Sequence, residues 1–551
     1  MPAKPFSSLL RCFLAAGSAG VLFDAASVFA ADQPNPARVA RQVDRLLNEE
    51  VYHDSPDLAP ECDDATFVRL AWLDIVGDIP TPEHVTAFLL DPRSDKRDRL
   101  ISELVAKPQY GQNWARYWRD VVLSRRIEDR AVLVGNPLVV KLTQQLNDNT
   151  GWDTIAGEFI TATGDVQEDG STAIFMAQDG QTEEATAEVS RIFLGIQIQC
   201  AQCHDHPWDR WEREDFHELA AFFPRVGVRP LQTPTRRSYT VVVNDRPELR
   251  RPRNSNNANR RGSPEHYMPD LENPEAPGKR TKPKFFLTGA ELSFGTPDAD
   301  RRGQLAEWLT DSPWFATAMV NRMWSELVGE GFYEPIDDLG PDREATASKA
   351  VEHLSQQFAR SGYDVKWLVR TICATDAYRR ESRPRRGVTD TPMLANVPQR
   401  LRGDQLFNAL LTALGIDETK TRGLADRVAG GRYGGQVTPR LIFNTAFGYD
   451  PSVQRETVSA SIPQALAMMN TPRINYAASA GRRTMLGGLL AEIKADDQLV
   501  DELYLRSLSR EPTDSERAHA LTYVESIDRR SEAFEDLLWA LLNSAEFVHR
   551  K

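Results

Sequence analysis

The sequence predicts a mainly α protein, with two helical domains joined by an irregular linker that holds a few short β-strands. Three observations predict this. Apolar residues recur at three- and four-residue spacing along most of the chain, cap and proline signals stand where those runs begin, and one Pro-, Asn- and Arg-rich stretch, residues 229–284, breaks the pattern. A chain of 551 residues with 41% hydrophobic content exceeds what one compact core takes.

The first thirty residues stand apart from this pattern. Lys4 and Arg11 precede the apolar run CFLAAGSAGVLF, and small residues follow to VFA at Ala30. That order reads as a secretory signal peptide, residues 1–30, although Asp24 is unfavourable in such a run. Export to a periplasmic or extracellular location is therefore expected. No later run reaches the ~18 consecutive apolar residues of a membrane span, so no integral membrane segment is expected after cleavage. A net charge of -13 provides no positive field for nucleic acid.

Residues 31–228 read as the first helical domain. Val39, Val43, Leu46 and Leu47 share one face, and the acidic pair before ATFVRLAWLDIV stands where an N-cap belongs. Thr81 caps and Pro82 starts a helix reaching Phe88 and Leu89. The segments KRDRLISELVA, GQNWARYWRDVVL, PLVVKLTQQL and WDTIAGEFITA continue the helical pattern, with Trp114, Tyr117 and Trp118 as core. In TEEATAEVSRIFLGIQI, the stripe Val189, Ile192, Phe193 and Ile196 leads directly to Cys200. Pro207 after His206 disfavours helix and predicts a turn, beyond which EREDFHELAAFF carries His217.

In the linker, SYTVVV and KFFL read as short strands forming a hairpin-like clasp, and the arginines from Arg236 to Arg261 as a solvated loop. Residues 285–551 read as the second domain. Ser312 before Pro313 starts a helix with Phe315, Met319, Met323 and Leu327 on one face, ended by Gly329 and Gly331. EPIDDLG is a turn; ATASKAVEHLSQQFARSG, DVKWLVRTICAT and GDQLFNALLTAL are amphipathic. Thr513 and Glu516 form a capping box, and Phe534, Leu537, Leu538, Leu541 and Leu542 stripe the last long helix.

Chemistry concentrates in CAQCHDHPWDRW, residues 200–211. Removal of the leader leaves Cys62, Cys200, Cys203 and Cys373, too few for a disulfide scaffold, with Cys62 and Cys373 read as separate thiols. Two cysteines three apart with histidine next is the spacing of c-type haem attachment: Cys200 and Cys203 bind the macrocycle and His204 is the axial iron ligand. Met268, Met176 or His217 would complete six-coordination. A second reading sets Cys200, Cys203, His206 and His217 around tetrahedral Zn, and a third closes a Cys200–Cys203 disulfide. Asp337 with Asp338, and Asp74 with Asp78, are paired carboxylates read as structural, and Arg322, next to Asn321, is expected to brace the fold against Asp337. No phosphate loop, GxSxG elbow or HExxH motif is present, so no hydrolase or transferase activity is indicated.

The segments TFVRLAWLDIVGDIPTPEHVTAFL, YGQNWARYWRDV and FLGIQIQCAQCHDHPWDRWEREDFHELAAFF resemble a planctomycete cytochrome-like domain of unknown function. RRGQLAEWL, PWFATAMVNRMWSELVGEGFYEPIDDLG, SIPQALAMMN and DLLWALLNSAEF are similar to its companion planctomycete domain. The resemblance implies kinship with c-type cytochromes at Cys200, Cys203 and His204, and no established reaction. Two functions are thus expected: an exported protein with one covalent haem passing electrons to a redox partner protein, or a noncatalytic exported interaction protein with a structural Cys/His clamp. Nothing in the sequence specifies an oligomeric state.

Overall fold

Caps and prolines start the helices where side chains can satisfy the orphan N–H groups of a first turn. In the computed structural model, which describes residues 33–232, 237–245, 264–384, 391–418, 439–453, 464 and 472–550, the Asp63 carboxylate accepts the Thr66 N–H at 2.7 Å and opens helix Asp64–Val76. Ser312 caps helix Pro313–Val328, and Gly329, at φ 104°, ends it in the left-handed region open to glycine. The Thr513–Glu516 capping box opens helix Asp514–Ser526. At Thr81 the backbone is extended and Pro82 begins the helix, but the hydroxyl bonds His84 Nδ1 rather than the backbone. The expected leader, most of the arginine-rich loop and nearly all of SIPQALAMMN lie outside the described residues.

The fold is mainly α, with a few short antiparallel strands. The two strands expected as a clasp each pair elsewhere. Arg237–Val243 pairs with Val226–Gln232 on one side and Gly164–Asp165 on the other. Lys284–Phe285 turns back on Ala290–Glu291 through Gly289, at φ 75°. The hairpin partners Val226–Gln232 and Ala290–Glu291 are each a few residues away, which costs less loop-closure entropy than a partner forty residues off. His266–Met268 and Lys279–Thr281 form another small ribbon within the expected linker. Among the described residues, no helix is long and apolar enough to cross a membrane.

Two buried clusters form the interior. The larger runs from Val39 to Met393 and takes Phe67, Trp114 and Phe193 together with Phe315, Trp324 and Trp367, so residues on both sides of the 229–284 stretch share it. Helix Pro36–Leu47 packs on helices Ser348–Arg360 and Val365–Cys373, and Trp152–Thr161 packs on Asp298–Thr310. The smaller cluster, Leu401 to Phe547, adds Leu73 and Ile79 from the N-terminal part. Polar bonds seal that seam. The Arg69 guanidinium donates to the Ser507 carbonyl at 3.0 Å, Gln405 Nε2 to the Leu73 carbonyl at 3.0 Å, and Asn408 Nδ2 to the Gly77 carbonyl at 2.8 Å.

The carboxylates read as structural are engaged in that way. Asp74 is buried, paired with Arg550 at 2.6 Å and accepting the Tyr378 hydroxyl at 3.0 Å; burial still pushes its carboxyl up to about 6. Asp78 accepts the Thr412 hydroxyl at 2.8 Å and its neighbour Ile79 N–H at 2.8 Å. Arg322 and Asp337 form a buried ion pair, as expected. Asp337 also binds Arg191 at 3.0 Å, and Arg191 in turn holds Glu188 at 2.6 Å, the Val121 carbonyl at 2.8 Å and the Ser452 hydroxyl at 2.8 Å. Burial pushes the Asp337 carboxyl up, but Arg322 and Arg191 outweigh it and hold it below the usual carboxylate range. Asp337→Ala strands two buried guanidinium groups and is expected to cost about 3–5 kcal/mol of stability. Urea denaturation followed by circular dichroism measures this loss.

Candidate functional site

The corner at residues 200–211 hangs between two anchored helices. Helix Thr182–Leu194 is terminated by Gly195 in the left-handed conformation, φ 68°, with its N–H on the Arg191 carbonyl. A Cβ at Gly195 would stand 3.0 Å from Leu339, whose N–H donates to the Gly195 carbonyl at 2.9 Å. Ser190 Oγ then donates to the Ile196 carbonyl at 2.9 Å and directs the chain into the 3-10 turn Ile198–Gln202. Ile198 and Ala201 are buried in the larger core and hold that turn down. On the far side, Glu212 and Asp215 form a capping box that opens helix Arg213–Ala220.

This anchoring lifts the reactive groups outward. Cys200, Cys203 and His204 are all exposed, and neither cysteine is in a disulfide among the described residues. His204 Nδ1 lies 2.8 Å from the Asp205 carbonyl, which only accepts, so that nitrogen carries a proton and the lone pair of the neutral ring is on Nε2. Trp208, in the same loop, is 77% exposed. The loop closes with His206 N–H donating to the Trp211 carbonyl at 2.8 Å.

Behind the corner lies a pair of histidines. His217 Nε2 is 3.1 Å from the Gln202 carbonyl and its Nδ1 is 2.8 Å from His266 Nε2. The carbonyl fixes the tautomers in sequence: His217 donates from Nε2 and accepts at Nδ1, so His266 donates from Nε2. The rings stack at 5.1 Å, and His266 Nδ1 is buried without a hydrogen-bond partner among the described residues. Burial pushes His217 down to about 4 and His266 down to about 3. Both are therefore neutral at pH 7.

Of the sequence-derived zinc set, Cys200, Cys203 and His206 share the loop, whereas both His217 nitrogens are engaged. The His206 Nδ1 lone pair faces the Trp208 N–H at 3.4 Å. Among the described residues, no group of three or more His, Cys, Asp and Glu gathers as a metal set. Of the distal candidates, Met176 is buried in the larger core. Met268 shares a strand face with His266, and that strand packs on helix Arg213–Ala220. Arg213 ties the two together, donating to the Gln202 carbonyl at 3.4 Å and the Pro269 carbonyl at 2.6 Å. Cys62 and Cys373 are buried free thiols in the larger core, and burial pushes Cys62 up to about 11. His266 escaped the sequence reading; its one signal is the alternation of His266 and Met268 about Tyr267 in a polar stretch.

Two family models match. One, described as PSCyt2, a protein of unknown function (DUF1549), covers residues 42–227, which include the exposed corner. The other, described as PSD1, a protein of unknown function (DUF1553), covers residues 301–429. The two matches lie in tandem along the chain. No curated protein and no solved structure matches it. The PSCyt2 region holds Arg191 and Glu188 and the PSD1 region holds Arg322 and Asp337, so the buried ion network joins the two matched regions.

The histidine pair gives the corner an acid sensitivity of definite sign. Depressed imidazoles bind protons more tightly in the unfolded chain, so their contribution to stability is complete above about 6.5 and is lost as pH falls toward about 4 and below. Each contributes a slope of up to about 1.4 kcal/mol per pH unit. Urea midpoints measured from pH 7.5 to pH 4.5 should fall less steeply in His266→Phe than in the unaltered protein.

Proposed function

We propose that the chain is exported, carries one covalently attached c-type haem at Cys200 and Cys203 with His204 Nε2 as axial ligand, and transfers electrons to a partner protein. One observation carries the reading: the two thiols and His204 stand exposed together, and the hydrogen bond at Nδ1 leaves the Nε2 lone pair available to a metal. A structural clamp would instead gain from burial, and its fourth ligand, His217, is spent on Gln202 and His266. A bound haem supplies a one-electron iron couple. The chain's own residues do the rest. Ile198, Ala201 and the Gln202–His217 bond fix the loop's backbone, and Trp208 offers an apolar shoulder for the rim of a flat ligand or for a partner surface. With His217 engaged and Met176 in the core, Met268 would be the remaining candidate for a second iron ligand.

The test is a visible absorption spectrum of the full chain produced by export in a host that attaches c-type haem. A Soret band that survives denaturation and acid–acetone extraction is expected. His204→Ala should abolish the native spectrum, and His206→Ala should leave it intact. Stoichiometric zinc without haem would overturn the proposal in favour of a noncatalytic clamp.

A further inference from the structure

A cavity of about 540 Å³ lies between the two matched regions, beside the exposed corner but using none of Cys200, Cys203 or His204. Its wall is aromatic: Trp211 from the first region, Phe286 from the connecting segment, and Trp308 and Trp314 from the second. Each ring is locked by an edge-on neighbour. Trp211 stands against Phe286 at 4.9 Å, Trp308 against Phe222 at 6.1 Å and Trp314 against Tyr333 at 6.3 Å. Trp308 and Trp314 are only partly buried, which leaves indole surface for a guest.

The charges in the wall are unequal. Arg210 is spent on Asp342, with Nε 2.9 Å from one carboxylate oxygen and a second contact from Nη2 to the other. Asp311 is exposed, and its side chain has no hydrogen bond or ion pair among the described residues. The cavity therefore combines π faces with one uncompensated carboxylate, in a chain of net charge -13. A cation above indole rings is attracted by their quadrupoles, most strongly by tryptophan, and a nearby carboxylate adds to that attraction. Neutral aromatic guests would gain only the stacking, and anions would be repelled by Asp311.

We propose that this cavity binds a small organic ammonium ion, its cationic head near Asp311 and its apolar body between Trp308, Trp314 and Trp211. The volume suits such a guest, since small-molecule sites run from about 300 to 1,000 Å³. The proposal is independent of haem, because the corner's ligands take no part in it.

Ligand-observed NMR and isothermal titration calorimetry with the full chain test it, using benzyltrimethylammonium as probe, with benzyl alcohol and benzoate as neutral and anionic comparisons. Saturable one-to-one binding on the order of a millimolar or tighter is expected for the cation. Asp311→Asn and Trp308→Leu should each weaken it about fivefold, and His204→Ala should leave it unchanged. Asp311 is exposed, so its variant keeps the test alive should Trp308→Leu fail to fold. Absence of saturable binding, equal binding of benzyl alcohol or benzoate, or an unchanged affinity in Asp311→Asn would each overturn the proposal.

Discussion

The buried Arg191 side chain is the constraint on which the arrangement depends. It leaves the helix that delivers the chain to Cys200, and its guanidinium meets Glu188 on its own helix, Asp337 beyond the linker, and the Val121 carbonyl. A charge without water needs all of its partners, because desolvation is repaid only when geometry and hydrogen bonding are complete. Arg322 completes the balance on Asp337. Two positive and two negative groups thus neutralise one another where the PSCyt2 and PSD1 regions meet, and Gly195 docks on Leu339 beside them. The exposed corner begins one turn later, so its placement follows from this network.

Local signals sufficed to read local structure. The Ser312–Pro313 start, the Thr513–Glu516 box and the stripe Phe315, Met319, Met323 and Leu327 are each properties of a few adjacent residues, and all are present. The Arg322–Asp337 pair was legible because only fifteen residues separate an arginine on an apolar helix from an acidic turn. Arg191 as the second partner of Asp337 was not, since 146 residues intervene and no periodicity reports such a contact. For the same reason the strand partners were missed: alternation marks a strand but does not name its neighbour.

At the candidate site the sequence marked the loop but not its support. Cys200, Cys203 and His204 announce themselves by spacing. From sequence His217 is one candidate metal ligand among alternatives; in the structure it braces the Gln202 carbonyl from behind, with His266 as its own brace. The role of a histidine depends on which atoms reach its two nitrogens, and one of those atoms comes from a strand 49 residues further on. The same limit applies to the aromatic cavity, whose rings come from three separated segments that are individually ordinary.

The pairing of helix Pro36–Leu47 with helices Ser348–Arg360 and Val365–Cys373 sets the order in which the chain can mature. Val39, Val43 and Leu47 are synthesised more than three hundred residues before the surfaces that cover them. Their apolar stripe stays wet throughout that interval, and contacts this distant in sequence form slowly. Holdase chaperones that shield nascent apolar helices therefore have a long window to act on this chain, and its yield in a foreign host should depend on them more than its final stability would suggest.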